Sequence, residues 1–392
     1  MFDTKRFPTL SKLPPPLLTA YLKTTPDDPS LHPLVPSCVA WLRQQANSIA
    51  EVLARDDSYS FRLQLRRLEE FLHDRIPEEK SLVVFAGPHT WETVSLYVEV
   101  ANELHWGKPS LTQLLWLAAE HKPYCIVLVD HSGAAIFAYR LREVYRLRET
   151  KFDVDTSQWK KKDRGHVARP GIRETHGAQR DVFDHRLEAQ YRRLSREVAE
   201  LAIHLCRKES FNAVLLAGPE RLVAPLAGRL PTELLARVIW IRKDLGHMDL
   251  GRIREVIEPE IERWECAQEL ARVSELLGDE RGAVLGLEES LAELQQGGIR
   301  MLMVCRDLDV RVMRCDGCGY MDFSADPVCG ACRNFRSVVP LRSVLPQLAA
   351  ASNAEIEVVG GEAAARLKRA GGMGAWLRKA RPGPRRPALT PA

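Results

Sequence analysis

Two groups of residues in this chain have the types and spacing for chemistry. Cys315, Cys318, Cys329 and Cys332 stand as C-x2-C, ten residues, C-x2-C. Knuckles at that spacing converge four thiolates on one tetrahedral ion, and zinc is the expected metal. Gly319 follows one knuckle, and Gly330 and Ala331 sit inside the other, so backbone amides can turn toward sulfur. Four thiolates leave no open position, so the expected zinc is structural, and its binding is coupled to the folding of its segment. A redox dithiol pair, or four reduced surface thiols, is the alternative. No histidine lies beyond His247, which disfavours a mixed ligand set.

The second group is basic. From Gln158 to Arg180 there are seven Lys or Arg against two acids. Lys160, Lys161, Lys162, Arg164, Arg169, Arg173 and Arg180, with Arg186 beyond them, would set phosphate contacts along one arm, and binding would weaken steeply with salt. A solvated charged loop is the plain alternative. The arm leads to a loop reading His176-Gly177-Ala178-Gln179-Arg180. Gly177 permits a left-handed backbone beside a ligand. Gln179 donates and accepts without carrying charge, and its backbone amide is placed to stabilise an oxyanion in acyl transfer. His176 is either a base or one more RNA contact. No serine–histidine–aspartate arrangement accompanies them.

The elements that must position these groups follow from hydropathy. A proline-led strand is expected within 13–22, helices over 39–54 and 61–73, a buried strand over 82–86 and a helix over 111–120. Phe61, Leu65, Leu68 and Leu72 share one face of the second helix. The run from Tyr124 to Asp130 is a near-continuous apolar strand. After a His131-Ser132-Gly133 turn come two more strands, within 134–139 and 143–148, which open a new domain. Asp130 is either a turn residue or one carboxylate of a metal-dependent nuclease. Behind the basic loop, Phe183, Leu187, Tyr191, Leu194, Val198, Leu201 and Leu205 form one stripe of a long helix, with Arg193 and Arg196 elsewhere. Strands follow at 213–218 and 238–241, then a charged helix over 255–277, a helix over 287–294 and a strand over 300–305. Residues 310–314 lead into the cysteines, and a helix over 345–351, a strand over 355–359 and a glycine-punctuated helical end follow. Trp240 and Trp264 are expected in packing, and His204 as a partly buried packing residue.

At 392 residues the chain exceeds one ordinary core. The net charge of +4 carries no global pull toward nucleic acid. No run approaches the ~18 apolar residues of a membrane span, and the first residues lack a secretory core. Cys38, Cys125, Cys206, Cys266 and Cys305 lie in apolar stretches and read as reduced core thiols of a cytosolic protein.

The segments Val127–Ala134, Gly177–Arg180 and Val214–Pro219 resemble the middle domain of archaeal and eukaryotic class-1 peptide chain release factors, the superfamily that includes Pelota. Gly286–Leu291, the strand at Met301, the cysteine ribbon and Ala370–Arg378 resemble its last domain in order, and the proline-led start resembles its bacterial branch. The resemblance implies an α/β protein of three domains. These are an α+β N-terminal domain (1–120), an RNase H-like middle domain (121–252) and an α/β/α sandwich (253–380) with a zinc ribbon inserted at 313–339. A disordered basic tail (381–392), which either touches ribosomal RNA or only solubilises, completes the chain. It also implies a cytoplasmic protein that occupies the ribosomal A site, points Gln179 toward peptidyl-tRNA, and has a translational GTPase such as an elongation factor as a possible partner.

Two departures refine that expectation. Ala178 stands where the family's GGQ has its second glycine, and at a positive φ its Cβ would cost on the order of 1 kcal/mol. The first domain has neither NIKS nor Tyr-x-Cys-x-x-x-Phe, the family's stop-codon readers, and reads His105-Trp106-Gly107-Lys108-Pro109-Ser110 instead. The expected function is therefore an A-site factor that acts without stop-codon recognition, in ribosome hibernation, stress or rescue. Peptidyl-tRNA hydrolysis through Gly177-Ala178-Gln179 is the alternative, and an RNase H-like nuclease the minor one.

Overall fold

The structure, a computed structural model, describes residues 6–25, 37–73, 79–152, 176–243, 245 and 248–379. For 37 and 176–187 it gives the course of the backbone. Lys160, Lys161, Lys162, Arg164, Arg169 and Arg173, and the tail from 380 on, lie outside the described residues. Two compact units result, one of 1–121 with 265–392 and one of 122–264.

The N-terminal part of the first unit holds α1 (Phe7–Leu10), β1 (Leu17–Lys23), α2 (Ser37–Val52), α3 (Arg55–His73), β2 (Ser81–Gly87), β3 (Thr90–Leu96), β4 (Glu103–Gly107) and α4 (Thr112–Glu120). The sheet runs β3-β2-β1-β4, antiparallel throughout. Leu18, Ala20 and Leu22 of β1 meet Leu42 and Ala46 of α2 and Phe61, Leu68 and Leu72 of α3, which is the face that the heptad-like spacing of α3 predicts. β3 and β4 are absent from the sequence reading. They are the two edge strands, half-buried and interspersed with polar residues, so their apolar signal is thin.

The second unit holds β5 (Tyr124–Val129), β6 (Gly133–Arg140), β7 (Glu143–Lys151), α5 (His176–Glu209), β8 (Ala213–Ala217), α6 (Glu220–Ala227), α7 (Thr232–Leu235), β9 (Val238–Ile241) and the first half of α8 (Leu250–Gly278). The sheet order is β7-β6-β5-β8-β9, with β5, β8 and β9 parallel and β6 and β7 antiparallel to their neighbours. This is the RNase H-like arrangement. β5 is apolar on both sides because both faces are covered. Val127 and Val129 face Leu194, Val198 and Ala202 of α5 and Leu222 and Leu226 of α6. Ile126 and Leu128 face Ile253, Ile257 and Ile261 of α8.

The hairpin between β6 and β7 turns on Leu141 (φ 47°) and Arg142 (φ 64°). Both centres of such a two-residue turn need positive φ, which costs non-glycine residues about 1 kcal/mol each. Leu141 offsets this by burial, and Arg142 by a two-point hydrogen bond to Glu258 of α8 at 3.2 and 3.0 Å.

The C-terminal part of the first unit continues with β10 (Ala283–Leu285), α9 (Leu287–Gln295), β11 (Ile299–Cys305), β12 (Arg311–Cys315), β13 (Met321–Asp322), β14 (Arg336–Pro340), α10 (Leu341–Ala351), β15 (Glu355–Val359), α11 (Gly361–Arg369) and β16 (Met373–Leu377). The main sheet runs β10-β16-β11-β15, with β11 and β15 parallel. α9 and α10 cover one face; α11 and the second half of α8 cover the other, giving an α/β/α sandwich. The glycine-punctuated helical end is corrected here. Gly371 (φ 102°) and Gly372 (φ 80°) terminate α11 in a left-handed turn, and the chain returns as β16 through the middle of the sheet. A Cβ at Gly371 would meet Gly286 Cα at 2.7 Å, so only glycine fits.

α4 joins this sandwich: Trp116, 2% exposed, lies in its core, and Glu120 takes an ion pair from Arg306 at 2.9 Å. Among the described residues no helix is long and apolar enough to cross a membrane.

Candidate functional site

The cysteines are placed by a small sheet of order β13-β12-β14. Each knuckle closes the same way. Gly319 N–H donates to Cys315 O at 3.0 Å, and Arg333 N–H donates to Cys329 O at 2.9 Å. The residue after each second cysteine takes a positive φ, 76° at Gly319 and 61° at Arg333. The Sγ atoms of Cys315 and Cys332 are 3.3 Å apart, those of Cys318 and Cys329 are 3.7 Å apart, and all four lie within 4.8 Å of one another. A tetrahedral ion at the usual zinc–sulfur length would set sulfurs about 3.8 Å apart. A disulfide would need about 2 Å. The donor set therefore fits one metal ion.

Electrostatics agree. Backbone N–H groups at Asn334 hold the Cys332 thiol down to about 6, and those at Cys332 and Ala331 lower Cys329. The Tyr320 backbone favours the Cys318 thiolate, but the crowding sulfurs of Cys315 and Cys332 outweigh it and push that thiol up to about 12. A cation at the centre would favour the thiolate form of all four. Asn334 Nδ2 and Cys318 N–H each donate to a sulfur at 3.4 Å.

The ribbon is anchored by groups that no motif reveals. Gln295 of α9 donates to Met321 O and accepts from Met321 N–H, both at 2.8 Å. Arg336 pairs with Asp322 and donates to Met313 O at 3.1 Å.

The basic segment departs from expectation. His176-Gly177-Ala178-Gln179-Arg180 is not a loop but the first turn and a half of α5, a helix of 34 residues. Ala178, Gln179 and Arg180 are among the best helix formers, and one glycine is too weak a breaker to stop them. A helical φ is negative, so Ala178 escapes the expected strain. Arg186 lies on the same helix. From Gln179 to Tyr191 the axis advances about 18 Å.

At Tyr191 the helix meets the body of its unit. Tyr191 stacks on Phe152 at 4.9 Å, and its hydroxyl lies 2.9 Å from His131 Nδ1. Arg221 of α6 donates to His131 Nε2 at 2.8 Å. A guanidinium only donates, so Nε2 accepts and the Nδ1 proton goes to Tyr191. Nothing in the sequence pairs these three residues. Of the predicted stripe, Leu194, Val198 and Leu205 are buried and Tyr191 and Leu201 partly buried, while Phe183 and Leu187 have no described side chains. At the far end, Glu209 accepts from Arg140 at 2.9 Å.

Asp130 is consumed by its turn. Its Oδ1 accepts from Ser132 N–H and Oγ, both at 2.6 Å, and from Gly133 N–H at 2.9 Å. Among the described residues, the four cysteines are the one cluster of metal-ligating side chains. Gly218 is required by close approach, since at φ 141° its Cβ would lie 2.0 Å from Val129 O. Trp264 packs edge-on against Tyr124, as expected. Trp240, His204 and Cys266 are exposed, against expectation: His204 and Cys266 fall on the outer side of their helices, and Trp240, on the same face as Leu216, stands on the edge strand β9; Cys38, Cys125, Cys206 and Cys305 are buried.

Residues 109–262 match Bacterial archaeo-eukaryotic release factor family 10. No curated protein matches the chain. Among solved structures, the archaeal translation termination factor aRF1 is 16% identical over 96% of each chain, with a TM-score of 0.25. Archaeal Pelota, in a model of ribosome-bound Pelota and ABCE1, is 15% identical over 97% of this chain and 96% of its own, with a TM-score of 0.41. Dom34 of S. cerevisiae, a translation termination-like factor, is 11% identical over 77% of this chain and 79% of its own, with a TM-score of 0.40. The matched segment, 109–262, contains the Gly-Ala-Gln turn and the His131 anchor.

Proposed function

We propose that this protein is a cytoplasmic factor that enters the ribosomal A site without reading a stop codon, in hibernation, stress or rescue. The observation that carries the reading is α5: one unbroken helix, packed on the core from Tyr191 onward, carries Gly177-Ala178-Gln179 about 18 Å along its axis from Tyr191, within the segment that matches the release-factor family. A rigid rod delivers its tip at a fixed reach. Lys160, Lys161, Lys162, Arg164, Arg169, Arg173, His176, Arg180 and Arg186 neutralise ribosomal RNA phosphates. The missing codon-reading motifs remove sequence selection. Zinc is the metal proposed for Cys315, Cys318, Cys329 and Cys332; it supplies a closed structural cross-link and no reaction step. A translational GTPase is a proposed further partner.

The alternative is peptidyl-tRNA ester hydrolysis, and Gln179 favours it. The first N–H groups of a helix lack intrahelical acceptors, so the turn around Gln179 offers donors to a developing oxyanion. Purified protein added to ribosomes carrying labelled peptidyl-tRNA decides between the two. Occupancy predicts co-sedimentation that falls steeply with salt, and no peptide release. Hydrolysis predicts release that Gln179→Ala abolishes while sedimentation is unchanged. No co-sedimentation at low salt overturns both.

A further inference from the structure

The second unit carries an open cleft of about 590 Å³ at the carboxyl ends of β8 and β9. Its floor is Leu216, Val223 and Ala224, and Trp240 of the edge strand β9 forms one wall. Trp240 is 48% exposed, an unusual state for the largest apolar side chain. Arg242 and Lys243 follow it directly and also line the cleft. Neither has a hydrogen-bond or ion-pair partner among the described residues, unlike Arg140, Arg142, Arg146, Arg192 and Arg193 of the same unit.

We propose that this cleft binds single-stranded RNA, with one base stacked on Trp240 and the adjoining phosphates held by Arg242 and Lys243. The chemistry favours this class of ligand. An aromatic platform takes any base, and cations beside it take the phosphate that each base brings. The volume suits a nucleotide and its neighbour. A protein partner would leave two cations needing acidic mates. Glu220, the one acid lining the cleft among the described residues, is an acceptor for base-edge N–H groups. The described lining comes from β8, α6, β9 and the residues that adjoin them, so the proposal adds to the proposed ribosome contact without depending on the Gly-Ala-Gln turn.

The test uses the full chain and a fluorescein-labelled eight-nucleotide oligouridylate, read by anisotropy across a salt series. Trp240→Ala is expected to weaken binding about tenfold or more, and Trp240→Phe to retain most of it. Arg242→Glu with Lys243→Glu is expected to weaken binding and lower the salt slope by about 1.4, the value for two single-strand phosphates. Because Trp240 and both cations lie outside the core, unchanged thermal midpoints will show that the variants fold. Equal affinity of Trp240→Ala and wild type overturns the proposal, and so does equal loss in Trp240→Ala and Trp240→Phe. The same variants in a background with Lys160, Lys161 and Lys162 changed to Glu separate the cleft from the arm. A Trp240 effect that persists there supports the cleft, and one that vanishes assigns the binding to the arm and overturns it.

Discussion

The cysteine ribbon and the tip of α5 reach order by opposite routes. The ribbon is ordered from within: four sulfurs, two identical backbone turns and a short sheet converge inside one segment. The tip of α5 is ordered from a distance. Its backbone continues a helix whose described anchors, at His131, Arg221 and the core around Leu194, lie turns away. A local cross-link fails locally. A rod fails wherever its root fails.

The sharpest way to break this contrast is to remove the metal. A strong chelator, or Cys329→Ser, should take bound metal from about one per chain to none, with local loss on the scale of a zinc knuckle's binding energy, roughly 10 kcal/mol. Mass spectrometry measures the metal, and limited proteolysis should cut between 316 and 336. The unfolding of the second unit should not move; if it does, the ribbon is not self-contained.

The complementary experiment strikes the root of the rod. Gly218→Val puts a side chain on the Val129 carbonyl at a positive φ and should cost about 3 kcal/mol or more. Urea denaturation measures it. Ribosome co-sedimentation should fall too, although Gly218 lies 39 positions from Gln179 along the chain.

A smaller effect tests the anchor under the sheet. Partial burial pushes the Glu258 carboxyl up, but hydrogen bonds from Arg142 and Tyr139 prevail and hold it below the ordinary carboxylate range. A folded-state value lowered in this way stabilises the protein above the unfolded value and loses that contribution as pH falls through the folded one. Glu258→Gln should therefore cost about 1 kcal/mol near pH 7, since Arg142 is well exposed and screened. The gap should close as pH drops below about 4, near the unfolded carboxylate value. Denaturation at both pH values checks the sign.

The smallest effects form a matched pair. Arg333→Gly relieves a left-handed residue in the ribbon and should stabilise it by about 1 kcal/mol. Ala178→Gly removes a helix former from the tip of α5 and should loosen it by up to about 1 kcal/mol, seen as faster amide exchange at 176–180 only. Opposite signs from the same replacement residue would confirm that one region needs a turn and the other a rod.

Much of this was legible in the residues. The C-x2-C pairs announce a metal site because ligand spacing is a local property. The apolar run of β5 and the stripe on α5 announce a covered sheet and its helix, since burial on both faces leaves no polar alternation. The edge strands β3 and β4 were not legible, because half-solvated strands carry weak patterns. β16 was hidden as well: Gly374 and Ala375 have poor strand propensity, and the strand exists because β10 and β11 hydrogen-bond to it from either side.

The Gly-Ala-Gln segment was misread as a loop because the comparison came from a motif, whereas the local chain favours helix. His131, Tyr191 and Arg221 lie up to 90 positions apart, and no spacing rule joins them. Trp240 looked like a core residue because its type is usually buried; its place on the edge strand leaves it half exposed.

What the chain determined alone was therefore short-range: which segments bury a face and where a metal can close two knuckles. Tertiary packing decided the rest, namely which strands became edges, which histidine locks the helix root and which tryptophan meets solvent. The physical reason is that hydropathy and ligand spacing act within a few residues, whereas partner choice is settled only when distant segments compete for the same face of a sheet.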